Sequence, residues 1–121
     1  MRTVTIRLAG GMDVVVPEPS WCEGVHQQGQ ALENLFHEGP ETGLIVATLR
    51  GPVEILAAAL AQYPFRTDVL RRSPVATVLL DGAWYELGSA EVRELAAGLV
   101  AHAEVLRGMA EELDGFSGGG R

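Results

Sequence analysis

The run Val53-Glu54-Ile55-Leu56-Ala57-Ala58-Ala59-Leu60-Ala61 decides the fold, because it satisfies two opposed local rules. Its alanines and leucines have high intrinsic helix propensity, and Pro52 before it suits a first helical position. Yet the preceding stretch from Thr42 to Leu49 is rich in β-branched and aliphatic residues and reads as a strand, turned by Arg50-Gly51-Pro52. An apolar run after so short a turn reads equally well as the returning arm of a hairpin. The residues alone leave helix and strand open. Tyr63-Pro64 ends either element, since proline biases the residue before it away from the helical region.

Downstream, Val75 to Leu80 reads as a strand, Asp81-Gly82 as a hairpin turn pair that tolerates positive φ, and Ala83 to Leu87 as the return. Ser89 is placed to cap a helix with Glu91 in its first turn, and apolar residues continue through Leu113. The glycine-rich stretch from Gly115 to Arg121 reads as a disordered tail. Upstream, Thr3 to Leu8 and Met12 to Val16 form a hairpin about Gly10-Gly11. Pro17 and Pro19 are expected to end regular pairing and open an irregular segment running to Pro40, with two turns of helix between Gln30 and Phe36. The expected fold is α+β: one domain over residues 1–114, with an antiparallel sheet of four to six strands covered by one long C-terminal helix.

With 121 residues, 47% of them hydrophobic, the chain can bury a core without staples. A formal net charge of −7 repels phosphate backbones and anionic lipid headgroups, so neither nucleic acid nor a membrane surface is an expected partner. No apolar run approaches the roughly 20 residues of a membrane span, and the N-terminus lacks a signal-peptide pattern, so a cytoplasmic location is expected. The basic residues are all arginine, a compositional mark of a GC-rich genome. A single cysteine, Cys22, excludes an internal disulfide and leaves a buried thiol, a reactive thiol or a metal ligand as its roles.

Trp21-Cys22 followed by His26, then His37-Glu38-Gly39, Gln62-Tyr63-Pro64 and Ala90-Glu91-Val92-Arg93-Glu94-Leu95-Ala96-Ala97 together resemble a family of small actinobacterial proteins carrying a domain of unknown function. The resemblance spans most of residues 19 to 106. It implies a strand before Gln-Tyr-Pro, which turns the ambiguous run toward a hairpin with residues 44–49. It implies no activity, substrate or cofactor.

Cys22, His26 and His37 put a thiol and two imidazoles, all zinc-type ligands, into the one long irregular segment. Ordering such a loop is costly, and a metal bond within residues 21–39 can supply the tie. A structural zinc needs a fourth ligand, for which Glu23, Glu33, Glu38, Glu41, His102, water or a second subunit are candidates. The alternative is that Trp21 and Cys22 are core residues and the histidines hydrogen-bonded loop residues. On the C-terminal helix, Val92, Leu95, Leu99, His102, Leu106, Met109 and Leu113 recur at three- and four-residue steps. This stripe either packs on the domain's own sheet or, at its distal end, pairs with a second copy. A helix of about 24 residues spans roughly 36 Å against roughly 20 Å for a six-residue strand, so part of the stripe should overhang. Arg66, Arg71 and Arg72 around Asp68 are either a solvated loop or an anion site.

No phosphate loop, nucleophile elbow or His-Glu-x-x-His helix is present. The expected function is a protein-binding or assembly module, homodimeric through Leu99, His102, Leu106, Met109 and Leu113, with a structural zinc site. The alternative is a metal-dependent hydrolase with an open Cys22/His26/His37 site and Glu38 as base.

Overall fold

The structure, a computed structural model, describes residues 2–118. Seven strands and one helix follow in the order β1 (Arg2–Arg7), β2 (Asp13–Glu18), β3 (His37–Glu38), β4 (Thr42–Thr48), β5 (Gly51–Gln62), β6 (Val75–Leu80), β7 (Ala83–Leu87) and α1 (Ser89–Gly118). β1 and β2 make a two-stranded sheet, and the remaining strands a five-stranded one, both antiparallel. The α+β class with antiparallel sheets and a long C-terminal helix is therefore as the sequence indicates. The chain divides into two compact units, Met1–Gly88 and Ser89–Arg121.

The deciding run is a strand. β5 pairs on one side with β3 and β4 and on the other, through Ala57 to Ala61, with β6. Helix propensity differs among residues by tenths of a kcal/mol each, so two ladders of hydrogen bonds outweigh it. Its alternation is hidden in the sequence because both faces are apolar. In the structure Ala57, Ala59 and Ala61 are buried while Leu60 between them is about half exposed. The turn from Thr48 to Gly51 is closed by the Thr48 hydroxyl, which donates to the Gly51 carbonyl at 2.7 Å and accepts from the Arg50 amide at 3.1 Å. Among the described residues no strand pairs the other edge of β5 from Gly51 to Leu56, and in this half of the β4–β5 ribbon Leu44, Ile45, Val53 and Ile55 are exposed.

Asp81 and Gly82 both take positive φ, the geometry a two-residue hairpin turn demands. Pro17 does not end the first hairpin, as the sequence suggested; it pairs with Thr3, and Glu18 pairs with Arg2. In a two-stranded sheet every strand is an edge, and a proline there loses no ladder bond if its nitrogen faces outward. Between β2 and β3 the chain is mostly irregular, with a single 3-10 turn at Leu32–Asn34 in place of the expected two helical turns. α1 continues past Leu113 to Gly118, because glycine weakens a helix by about 1 kcal/mol without ending it. The part of the expected tail at 119–121 lies outside the described residues.

Ile6, Val16 and Leu35 form a buried cluster, with Val4, Leu8, Val14 and Phe65 packed against it. On the other side of the unit Phe36 stacks on Tyr63 at 5.2 Å between centroids, and the Arg66 guanidinium lies 4.2 Å over the Tyr63 ring. Arg66 also donates two hydrogen bonds to the Glu86 carboxylate, at 2.9 and 2.7 Å, and Arg71 adds a third at 3.2 Å. The arginine cluster thus already holds an anion, its own Glu86.

Those arginines, Arg66 foremost, hold the Glu86 carboxyl down at about 2, below the ordinary value of 4.5. A carboxylate depressed by folding contributes stability that is fully present above its unfolded value and is lost as pH falls toward the folded one. Comparing unfolding of the parent with Glu86→Gln should give a gap of at most about 1 kcal/mol at neutral pH, as for an exposed pair. That gap should close between pH 4.5 and 2; a gap that stays constant would contradict the pairing. Ile6→Ala, which empties a buried position, should cost about 2–5 kcal/mol by the same measurement.

Candidate metal centre

β2 ends with inward residues at every second position: Val14 is half-buried, while Val16 and Glu18 are buried. Glu18 therefore occupies a core position, 7% exposed, and its carboxylate projects to where the next segment folds over it. The Cys22 amide bonds the Pro19 carbonyl at 3.1 Å, turning the chain so that the Cys22 thiol reaches Glu18 Oε1 at 3.1 Å. The loop is pinned from both sides. The Glu23 amide bonds the Glu38 carbonyl at 2.9 Å, and the Gly29 amide bonds the Arg7 carbonyl at 2.8 Å. Trp21 crosses so near the end of β3 that a Cβ on Gly39 would sit 3.0 Å from the Trp21 carbonyl oxygen, a tight contact that the chain would have to relax.

His26 Nε2 meets the same Glu18 Oε1 and lies 3.8 Å from Cys22 Sγ. His37, the first residue of β3, brings Nδ1 to 3.7 Å from Glu18 Oε1, and its ring meets the His26 ring edge-on at 5.4 Å. The four donor atoms of Glu18, Cys22, His26 and His37 all lie within 4.8 Å of one another, a cluster that could hold a metal ion. Cys22 is 5% and His37 2% exposed.

Burial opposes ionisation of Glu18, but hydrogen bonds from His26 and Cys22 and the nearby charges outweigh it and hold its carboxyl below the ordinary range. Arg2 contributes from 3.6 Å. Burial pushes the Cys22 thiol up, against backbone amides of Gly24 and Glu38 that favour the thiolate. Burial, then the neighbouring His26, depresses His37. Its Nδ1 is buried without a hydrogen-bond partner. His26 Nδ1 donates to the Phe36 carbonyl at 3.1 Å, and since a carbonyl only accepts, that nitrogen carries the proton. In the neutral ring Nε2 then presents a lone pair to a carboxylate, which is stable only with a proton or a cation between them.

Cys22, His26 and His37 are thus brought together as the spacing suggested. The fourth group is Glu18, in place of Glu23, Glu33, Glu38, Glu41 or His102, none of which joins the cluster. The signal that points to it is the alternation Val14, Val16, Glu18, which becomes visible once β2 is allowed to run through Pro17. Glu38, adjacent to His37 on a strand, faces the opposite side and is exposed, away from the cluster. His102 lies on α1, where Leu99, Leu106, Met109 and Leu113 are exposed as well. Among the described residues, no helix is long and apolar enough to cross a membrane.

The family model described as Domain of unknown function (DUF6907) matches residues 3–115, nearly the whole chain, and the protein belongs to that family. The resemblance to a domain of unknown function, carried by the Trp-Cys, His-Glu-Gly and Gln-Tyr-Pro patterns, is borne out. Neither the search of curated proteins nor that of solved structures returned a match.

Glu18 takes the polar contacts of Cys22 and His26, with Arg2 and His37 at 3.6 and 3.7 Å. Glu18→Ala should lower stability by about 3 kcal/mol, as when one partner of a buried polar pair is removed. Amide exchange should accelerate over residues 19–39 and stay unchanged over 75–87. Equal acceleration in both segments would show that the cluster does not order the loop.

Proposed function

We propose that the protein is a protein-binding and assembly module whose first unit is stapled by a structural zinc ion on Glu18, Cys22, His26 and His37. The observation that carries this reading is the donor set itself: four metal-ligating atoms converge, one of them, His37 Nδ1, buried without a hydrogen-bond partner. A tetrahedral ion with bonds of about 2.0–2.3 Å holds its ligands roughly 3.3–3.8 Å apart. The contacts of 3.1, 3.7 and 3.8 Å lie near that range, and the shorter contact between His26 Nε2 and Glu18 Oε1 would have to open to admit the ion. Charge favours it too, since a divalent ion with one thiolate, one carboxylate and two neutral imidazoles sums to zero in a buried place. The Phe36 carbonyl on His26 and the Gly24 amide on Cys22 are the outer hydrogen bonds such ligands use.

Four protein ligands in a buried shell are the signature of structural zinc, whereas a catalytic ion keeps a position for water. With Glu18 in the fourth position and Glu38 on the far face of β3, the hydrolase reading has neither its water nor its base. A reducing cytoplasm would keep the lone Cys22 free for the ion. For assembly, Leu106, Met109 and Leu113 of α1 and the apolar ribbon of β4–β5 are exposed side chains of the kind that mark interaction surfaces. A homodimer with α1 supplying the self-contact is the simplest arrangement for one chain type.

Protein purified without a histidine tag should carry one equivalent of zinc, and cobalt in its place should show tetrahedral thiolate absorption that Cys22→Ala removes. Less than a tenth of an equivalent after reconstitution, with melting unchanged by chelator, would sink the zinc reading. Sedimentation at micromolar concentration should give a dimer that Leu106→Glu with Met109→Glu dissociates. A monomer unaffected by both substitutions would rule out the self-contact.

A further inference from the structure

Beside the metal centre lies a pocket of about 680 Å³, within the range of small-molecule sites. One wall is the end of the first hairpin, with Arg2, Val16, Glu18 and Ser20; the other is His37 and Gln62 of the five-stranded sheet, closed by Phe65. Pro17, Pro19 and Pro64 also line it, and the fixed φ of proline limits backbone motion at those three positions. Phe65 is held in place because it also packs on the Ile6, Val16 and Leu35 cluster. The pocket is therefore preformed and mostly apolar, with few polar groups to fix a ligand's orientation.

The ionisable residues among its lining are Arg2, Glu18 and His37. Glu18 and His37 belong to the metal centre as well, which makes the pocket's charge depend on the ion. Without the ion, Glu18 and Arg2, 3.6 Å apart, cancel. With it, the carboxylate is one of the two anions that neutralise the ion, His37 is a neutral ligand, and the Arg2 guanidinium is left as the net charge of the pocket. Arg2 is also the reachable one, with 59% of its side chain exposed against 4% for Glu18.

We propose that the metal-loaded protein binds a small organic monoanion, a carboxylate on an apolar or aromatic body, in this pocket. The anionic end pairs with Arg2, and the body lies against Val16, Pro64 and Phe65. Ser20 and Gln62 supply the remaining polar contacts on either side. The proposal rests on the zinc reading, because the ion is what frees the charge of Arg2.

The test is an amide chemical-shift titration of the full chain with 4-phenylbutyrate, after its zinc content has been measured. Loaded protein should give saturable shifts centred on Val16, Ser20, Gln62 and Phe65. Affinity should fall at least tenfold for the neutral 4-phenylbutyramide, at least tenfold for Arg2→Gln, and severalfold for metal-free protein. The acid-against-amide comparison uses the parent chain, so it decides even if Arg2→Gln disturbs the fold. A chain that takes up no zinc overturns both readings. A chain that holds one equivalent yet shows no saturable shifts, shifts confined to α1, or equal affinity for acid and amide overturns this one alone.

Discussion

A carboxylate buried at the end of a strand is costly unless its lone pairs are met by charged or donating groups, and Glu18 sets that condition for the whole first unit. Cys22, His26, His37 and Arg2 all converge on it. These groups come from four places: β1, the turn after β2, the long loop, and the edge of the five-stranded sheet. Satisfying Glu18 therefore fixes where the loop crosses and how the two sheets meet. The close passage of Trp21 over Gly39 and the bond of Gly29 to Arg7 accompany that convergence.

The five-stranded sheet depends on a different contest. β5 is built from alanine and leucine, and locally nothing forbids a helix there. Pairing on both flanks decides it, because each flank supplies an interstrand ladder. The same pairing is uneven along β5. Its second half is sandwiched between strands, whereas its first half has a partner on one side only. The register shift between Leu44 and Ile45 falls at this boundary and lets the free half bend away from the sheet. Ile45 on one strand and Val53 and Ile55 on the other are exposed in this half.

Much of this was legible in the sequence, and the parts that were not have identifiable causes. The hairpin at Asp81-Gly82 could be read directly, because its turn demands residues that tolerate positive φ. Cys22, His26 and His37 stood out because thiol and imidazole are scarce in the chain and fall together. Glu18 did not, for the chain has many carboxylates and only burial separates one from another. Proline at position 17 hid it, since the rule that proline ends strands holds for interior strands and fails at an edge. The strand at Val53 to Ala61 was obscured because alternation carries no signal where both faces are apolar.

The first sheet shows why a staple belongs where Glu18 lies. A two-stranded sheet is marginal in water unless something else packs on it. Here the packing is slight: Ile6, Val16 and Leu35 are its buried apolar residues, and one of the three comes from the loop. Cys22 is the chain's lone cysteine, so no disulfide can hold that loop. What remains is polar. Hydrogen bonds alone return about 1 kcal/mol each and do not repay a buried carboxylate beside two buried imidazoles. An ion at the centre would reverse that balance, turning the groups that cost most to bury into its ligands and adding its binding free energy to folding. With the ion bound, the sparse apolar core and the dense polar cluster would complement each other: Glu18 and the groups that meet it would supply order that the few buried hydrophobes near β1 and β2 do not.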